Sequence, residues 1–213
     1  RYSSGCGGWQ GCASGRTAGH RRDGHLTGYN TDCIGFMQPL AQHGFSPKDR
    51  EVTLLGAGGA ARAVIWGLLR AKAGRITLGV RNPAKAARLA EEFSAYGEIQ
   101  VLHWEDGAFA DHLAVTDLLV NTTPLGMYPH VEGMPPVDWA KLKKAALVYD
   151  IIYTPARTRF LSEAQEYGHT IINGEGMLAG QGAAAFALWT GVTPDLALMK
   201  HALREELAAR QGQ

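Results

Sequence analysis

The sequence is short of cysteine, of long apolar runs and of charge imbalance, and each shortage removes a class of protein. Three cysteines among 213 residues, Cys6, Cys12 and Cys33, have neither pairing nor metal-ligand spacing, which argues against a secreted disulfide scaffold and for a reducing cytoplasm. No uncharged apolar stretch approaches the roughly 18 residues of a membrane span. Lys and Arg number 21 against 20 Asp and Glu, a formal net charge of +1, so composition makes no electrostatic case for nucleic acid or a membrane surface. The eight histidines are scattered without H-x-x-x-H spacing, and no metal site is expected. What is present is ample apolar material: 46% hydrophobic residues against 19% charged can build a packed core.

Glycine is the compositional outlier, 27 of 213 residues, where average usage of roughly 7% would give about 15. Six of these lie in residues 1–20, a stretch with no Ile, Leu, Val, Phe, Met, Asp or Glu. It buries too little aliphatic surface to offset its own ordering entropy and lacks the apolar centre of a signal peptide. It is expected to stand apart from the fold, as a flexible or non-native segment, and Trp66, Trp104, Trp139 and Trp189 further on are assigned to packing.

From Arg21 the texture changes. RRDGHLTGYN places a D-G turn signal between short extended pieces, and Asn30 or Thr31 can cap a helix carrying Ile34, Phe36, Met37 and Leu40 that ends near Gly44. A regular alternation follows: strand 51–56, helix 60–71, strand 75–80, helix 83–95, strands 99–103, 117–121 and 147–153, helix 158–167 and strand 169–173. This predicts an α/β fold with a doubly wound, Rossmann-type parallel sheet. After Asn173 no strand signal remains, and helices are expected over 175–189 and 194–210, punctuated by Gly191 and Pro194. The organisation expected is residues 1–20 apart, 21–46 as a remnant of a substrate domain, 47–172 as a nucleotide-binding domain and 173–213 as helices returning to the substrate side.

The loop between the first two alternating elements carries Gly56, Ala57, Gly58, Gly59, Ala60 and Ala61, a G-x-G-x-x-A pattern directly after a strand and before a helix. The first glycine permits the tight turn, the second lets backbone N–H groups approach a pyrophosphate, and the small third residue packs helix on strand. The end of the following strand selects the dinucleotide. An acidic residue there would bond the ribose 2′-OH of NAD, but Val80 is followed by Arg81, Asn82 and Pro83, with no carboxylate before Glu91. A guanidinium at that place suits the 2′-phosphate of NADP, with Asn82 and Lys85 beside it, unless Arg81 is simply a solvated strand-end residue.

Several separated blocks together resemble the shikimate dehydrogenase family: GYNTDCIGF (28–36), LLGAGGAARAV (54–64), RNPAKAARLA (81–90), NTTPLGM (121–127), YDIIYTPARTRFL (149–161) and NGEGMLAGQGAAAFALWTG (173–191). The resemblance implies NADPH-dependent, reversible reduction of 3-dehydroshikimate to shikimate in aromatic amino acid biosynthesis. It also implies roles by position. Asp32 matches the catalytic aspartate that contacts a substrate hydroxyl, although on its own it reads as a helix-start residue favoured by the dipole. Thr122 and Thr123 match a loop along the cofactor, or form an ST-turn ahead of Pro124. Ile151 matches an apolar residue against the nicotinamide, and Gly174 a backbone contact to that ring. Tyr153 and Gln181 match residues that reach the substrate; Ile151 could equally be strand core, and Gln181 an exposed helix residue.

The same resemblance implies a pair of serines, a catalytic lysine and a G-x-x-N-T block ahead of the NTD motif, and none has a counterpart here; the first lysine is Lys48. These 213 residues are therefore expected to bind NADP but turn over shikimate poorly, and to expose apolar faces that favour a partner or a homo-oligomer. Two further readings stay open: a non-catalytic NADP-binding module, and a quinate or amino-shikimate dehydrogenase.

Overall fold

The computed structural model describes residues 17–22 and 25–211; most of the glycine-rich opening segment, with Cys6 and Cys12, and Asp23 and Gly24 of the D-G signal lie outside them. Strands β1 (Thr17–Arg22) and β2 (His25–Asn30) pair antiparallel with Thr17 opposite Asn30. The two extended pieces expected around the D-G signal are thus strands. Of the opening 20 residues expected to stand apart, Thr17 to His20 are paired across to Asn30 to Thr27.

Helix α1 (Asp32–Gln42) follows, and the Asn30 side chain accepts from the backbone N–H of Asp32 at 3.0 Å and of Cys33 at 3.4 Å. Of the two expected caps, Asn30 does the capping, while Thr31 makes no side-chain cap bond. The chain then alternates: β3 (Glu51–Leu55), α2 (Gly59–Arg70), β4 (Arg75–Val80), α3 (Pro83–Phe93), β5 (Ile99–His103), α4 (Gly107–His112), β6 (Leu118–Asn121), β7 (Leu147–Asp150), α5 (Arg159–Glu166), β8 (Thr170–Ile172), α6 (Glu175–Thr190) and α7 (Leu196–Gln211). The six strands β3 to β8 form one parallel sheet in the order β5-β4-β3-β6-β7-β8. The order reverses between β3 and β6, which opens a crevice beyond their carboxyl ends, where ligands of such sheets bind.

Because successive strand side chains point to opposite faces, each central strand feeds two cores. Val52, Leu54, Leu118, Val120, Leu147 and Tyr149 face a cluster with Phe36, Ile65 and Phe93. Leu55, Leu119 and Val148 face the other, with Phe109, Trp139 and Phe160. Trp66 and Trp139 are core residues as expected, but Trp189 is 60% exposed and Trp104 only partly buried. Helix α4 was not expected, and β7 ends three residues early. Its ladder stops because the Asp150 side chain, not a neighbouring strand, accepts the Ile152 N–H at 3.0 Å.

Helices α1 and α6 cross at close quarters. A Cβ on Gly35 would lie 2.4 Å from the Met177 carbonyl oxygen, and one on Gly180 3.1 Å from the Gly35 Cα. The crossing brings the buried Gln181 of α6 against α1 one turn from Asp32, which is also buried. Among the described residues, no helix is long and apolar enough to cross a membrane.

Candidate active site

The crevice at the strand reversal holds a cleft of about 330 Å³ walled by Gly56, Ala57 and Gly58 after β3, Arg81, Asn82 and Lys85 after β4, Trp104 after β5 and Thr122 to Leu125 after β6. Residues from four separate stretches of sequence therefore meet at the carboxyl ends of β3, β4, β5 and β6. Gly56 adopts φ +105°, and a Cβ there would meet Thr123 Cγ2 at 2.9 Å, so the turn is closed to any larger residue. Gly58 is different: nothing lies within 4 Å of where its Cβ would be, and a ligand can approach its backbone. It is the N-cap of α2 and offers no side chain to the first-turn N–H groups, which carry the positive end of the helix dipole. Gly59 and Ala60 form that first turn and do not wall the cleft.

No carboxylate lines this cleft, whereas Arg81 and Lys85 both do. The local field is positive without an internal counterion, the condition that favours a phosphate. Asn82 caps α3 by accepting the Lys85 backbone N–H at 3.1 Å on its side-chain oxygen, which leaves its amide N–H groups as donors for a ligand in the cleft. The threonine loop is braced from within. Thr122 donates its hydroxyl to the Leu55 carbonyl at 2.8 Å, and Thr123 donates to Asn121 Oδ1 at 2.7 Å while accepting the Leu125 N–H at 3.2 Å. Both hydroxyl protons are spent locally, as in an ST-turn, and the loop nonetheless borders the cleft.

Beyond β7 and β8 the chain makes a second layer of contacts. Gly174 donates its N–H to Ile152 at 2.9 Å, and a Cβ on it would lie 2.1 Å from the Ile151 carbonyl oxygen. Ile151 and Tyr153, both half-buried, are thereby held beside the start of α6. Gln181 touches α1 at Gly35, one turn from Asp32, and none of these five residues walls the Arg81 cleft.

Sequence reasoning overlooked two residues. Asp150, fully buried, accepts from Asn121 Nδ2 at 3.1 Å, from the Thr158 hydroxyl at 2.6 Å and from Ile152 N–H, and so ties the threonine loop to the Ile151–Pro155 turn. Burial pushes its carboxyl up to about 6, against the lowering effect of its three donors. Trp104 was assigned to packing; its position one residue beyond a strand end, next to the Arg81 strand in a parallel sheet, is the signal that could have placed it in the cleft.

Comparison with known proteins agrees with this geometry. A family model described as shikimate / quinate 5-dehydrogenase matches residues 39–125, and one described as the shikimate 5'-dehydrogenase C-terminal domain matches residues 174–204. The shikimate dehydrogenase (NADP(+)) of Moorella thermoacetica is 42% identical over 190 residues, covering 88% of this chain and 64% of that protein. The chain thus spans under two thirds of the length of that relative. The Listeria monocytogenes shikimate 5-dehydrogenase, solved with shikimate and NAD, superposes with TM-score 0.82 at 30% identity, over 87% of this chain and 66% of that one. The Thermus thermophilus shikimate 5-dehydrogenase, solved with NADP(H) and shikimate, gives 0.74 at 35% identity, over 88% and 66%. With the glycine turn, the threonine loop and the Gly174 junction all in place, the chain belongs to the shikimate/quinate dehydrogenase family.

Proposed function

We propose that this chain carries the cofactor-binding part of an NADP-dependent oxidoreductase that interconverts 3-dehydroshikimate and shikimate. The observation that carries the reading is the cleft beside the glycine turn, which holds two cations and no carboxylate. In this reading residues 47–172 hold the dinucleotide, and residues 21–46 with 173–213 return to the substrate. The residues fit the cofactor: Arg81 and Lys85 meet the 2′-phosphate, and Gly58 with the open first turn of α2 meets the pyrophosphate. Ile151 offers an apolar wall, and Gly174 a backbone contact, to the nicotinamide end. When bound, NADPH supplies a hydride to a carbonyl carbon.

The substrate side is built by Asp32, Tyr153 and Gln181. The buried Asp32 carboxylate accepts a hydrogen bond from a substrate hydroxyl and orients it, and Gln181 can donate its amide and accept a hydroxyl at the same time. Tyr153 closes the site from the β7 side. Support for shikimate as the substrate comes from the two structural relatives solved with it. Calorimetry tests the proposal: the 213-residue chain binds NADP, and the NADP-loaded chain binds shikimate in preference to quinate. Binding of NAD alone, or of quinate in place of shikimate, overturns it.

A further inference from the structure

Trp104 is the feature of the cleft that nothing above explains. Its backbone N–H donates to the Val80 carbonyl at 3.1 Å, which pins it beside the residue preceding Arg81. Its indole packs partly on the second core cluster, yet it also walls the Arg81 cleft and a neighbouring cleft of about 360 Å³. That neighbour is lined by Glu105, Asp106 and Asp138 together with Met134 and Val137. The indole therefore stands on a boundary, with cations on one side and carboxylates on the other. Phosphates are drawn to the Arg81 side and repelled from the far side. What fits against the boundary itself is a flat, neutral ring attached to a phosphorylated ribose.

Resting on the NADP reading above, we propose that Trp104 is the stacking platform for the adenine ring, with the Arg81 guanidinium available to the opposite face. Base–aromatic stacking and guanidinium stacking are both favourable and both depend on a planar partner. The arrangement makes Arg81 bifunctional: it pairs with the 2′-phosphate and lies along the base. A tryptophan whose backbone is bonded to β4 and whose side chain packs in part on the second core cluster is pre-organised, so little entropy is lost on binding.

Adenosine 2′,5′-bisphosphate, the adenine half of NADP without the nicotinamide, is the probe. It is titrated calorimetrically into the full 213-residue chain and into Trp104→Ala, Trp104→Leu and Trp104→Phe, with indole fluorescence followed in parallel. The Ala and Leu variants are expected to bind about tenfold more weakly, and Phe within about threefold of wild type. Wild type shows an indole quench on binding that the Phe variant loses while it keeps its affinity. Leu retains apolar packing without a π-face, so a packing role predicts normal binding for Leu; melting curves identify any variant that fails to fold. If Ala alone fails to fold, Leu and the quench decide. Unchanged binding in folded Leu and Ala variants, with wild type binding NADP, overturns the inference alone. Wild type that binds neither NADP nor the bisphosphate overturns the cofactor reading and this inference with it.

Discussion

Gly174→Ala tests the junction that joins β8 to α6. The added methyl would sit 2.1 Å from the Ile151 carbonyl oxygen, 2.5 Å from the Ile151 carbonyl carbon and 2.7 Å from that of Ile152. All three are backbone atoms with no rotamer to relax, so the α6 start or the end of β7 must move. Overpacking of this kind costs about 1–3 kcal/mol. The Gly174 N–H to Ile152 bond is broken by the same shift, and such a bond contributes about 1 kcal/mol. A total near 3 kcal/mol lowers Tm by roughly 6–12 °C in a chain of this size. Gly182→Ala is the matched control. It lies within α6, its Cβ would meet only Met199 Cε at an ordinary 3.4 Å, and the gain in helix propensity is about 0.5–1 kcal/mol. Differential scanning calorimetry should find the first variant melting well below wild type and the second at or slightly above it. Equal melting of wild type and Gly174→Ala would refute the close approach on which the Ile151–Gly174 geometry rests.

Asp150→Asn should show a pH-dependent stability difference. The carboxyl ionises near 6 in the fold against 3.8 as reference, so protonation stabilises wild type below about pH 4 and that contribution is lost as pH rises through about 6. The variant lacks this loss, and the difference should move in its favour by about 3 kcal/mol between pH 4 and 7; a flat difference in urea melts contradicts the burial. Thr158→Val removes the hydroxyl that donates to Asp150 at 2.6 Å and accepts the Leu161 N–H at the start of α5, at an expected cost of about 2–3 kcal/mol. A double-mutant cycle with Asp150→Asn should show the two effects to be non-additive. Asn30→Ala should destabilise by about 1 kcal/mol through the lost α1 cap and weaken shikimate binding by displacing Asp32; unchanged shikimate affinity would separate the cap from the site.

Much of this architecture was legible in the residues because parallel strands buried on both faces read as short apolar runs, and β3, β4 and β6 fall where those runs lie. The glycine turn was legible for the same reason: its spacing has one backbone solution between a strand and a helix. What escaped was long-range placement. Asp150 looks like a polar interruption of a strand, and only the fold brings Asn121 and Thr158 to it. Trp104 looks like core because a large aromatic after an apolar strand usually packs, and only its place at the strand end, one βα unit after Arg81, hints at the cleft. Helix α4 is six residues of weak periodicity, stabilised by Phe109 packing under Gly79, where a Cβ would meet the ring at 2.4 Å. Thr17 to His20 carry no apolar pattern, and strand pairing alone includes them.

The central claim is that a cleft with Arg81 and without a carboxylate selects a 2′-phosphate. The direct measurement is the ratio of NAD to NADP dissociation constants for wild type and for Arg81→Ala, taken calorimetrically at one fixed salt concentration. Charge-assisted hydrogen bonds contribute about 1.5–3 kcal/mol, so the account predicts a preference for NADP of at least about tenfold that falls by about tenfold or more in the variant, because NADP loses both the phosphate pair and the base contact whereas NAD loses the base contact alone. A chain that prefers NAD, or whose NADP preference survives loss of Arg81, contradicts it.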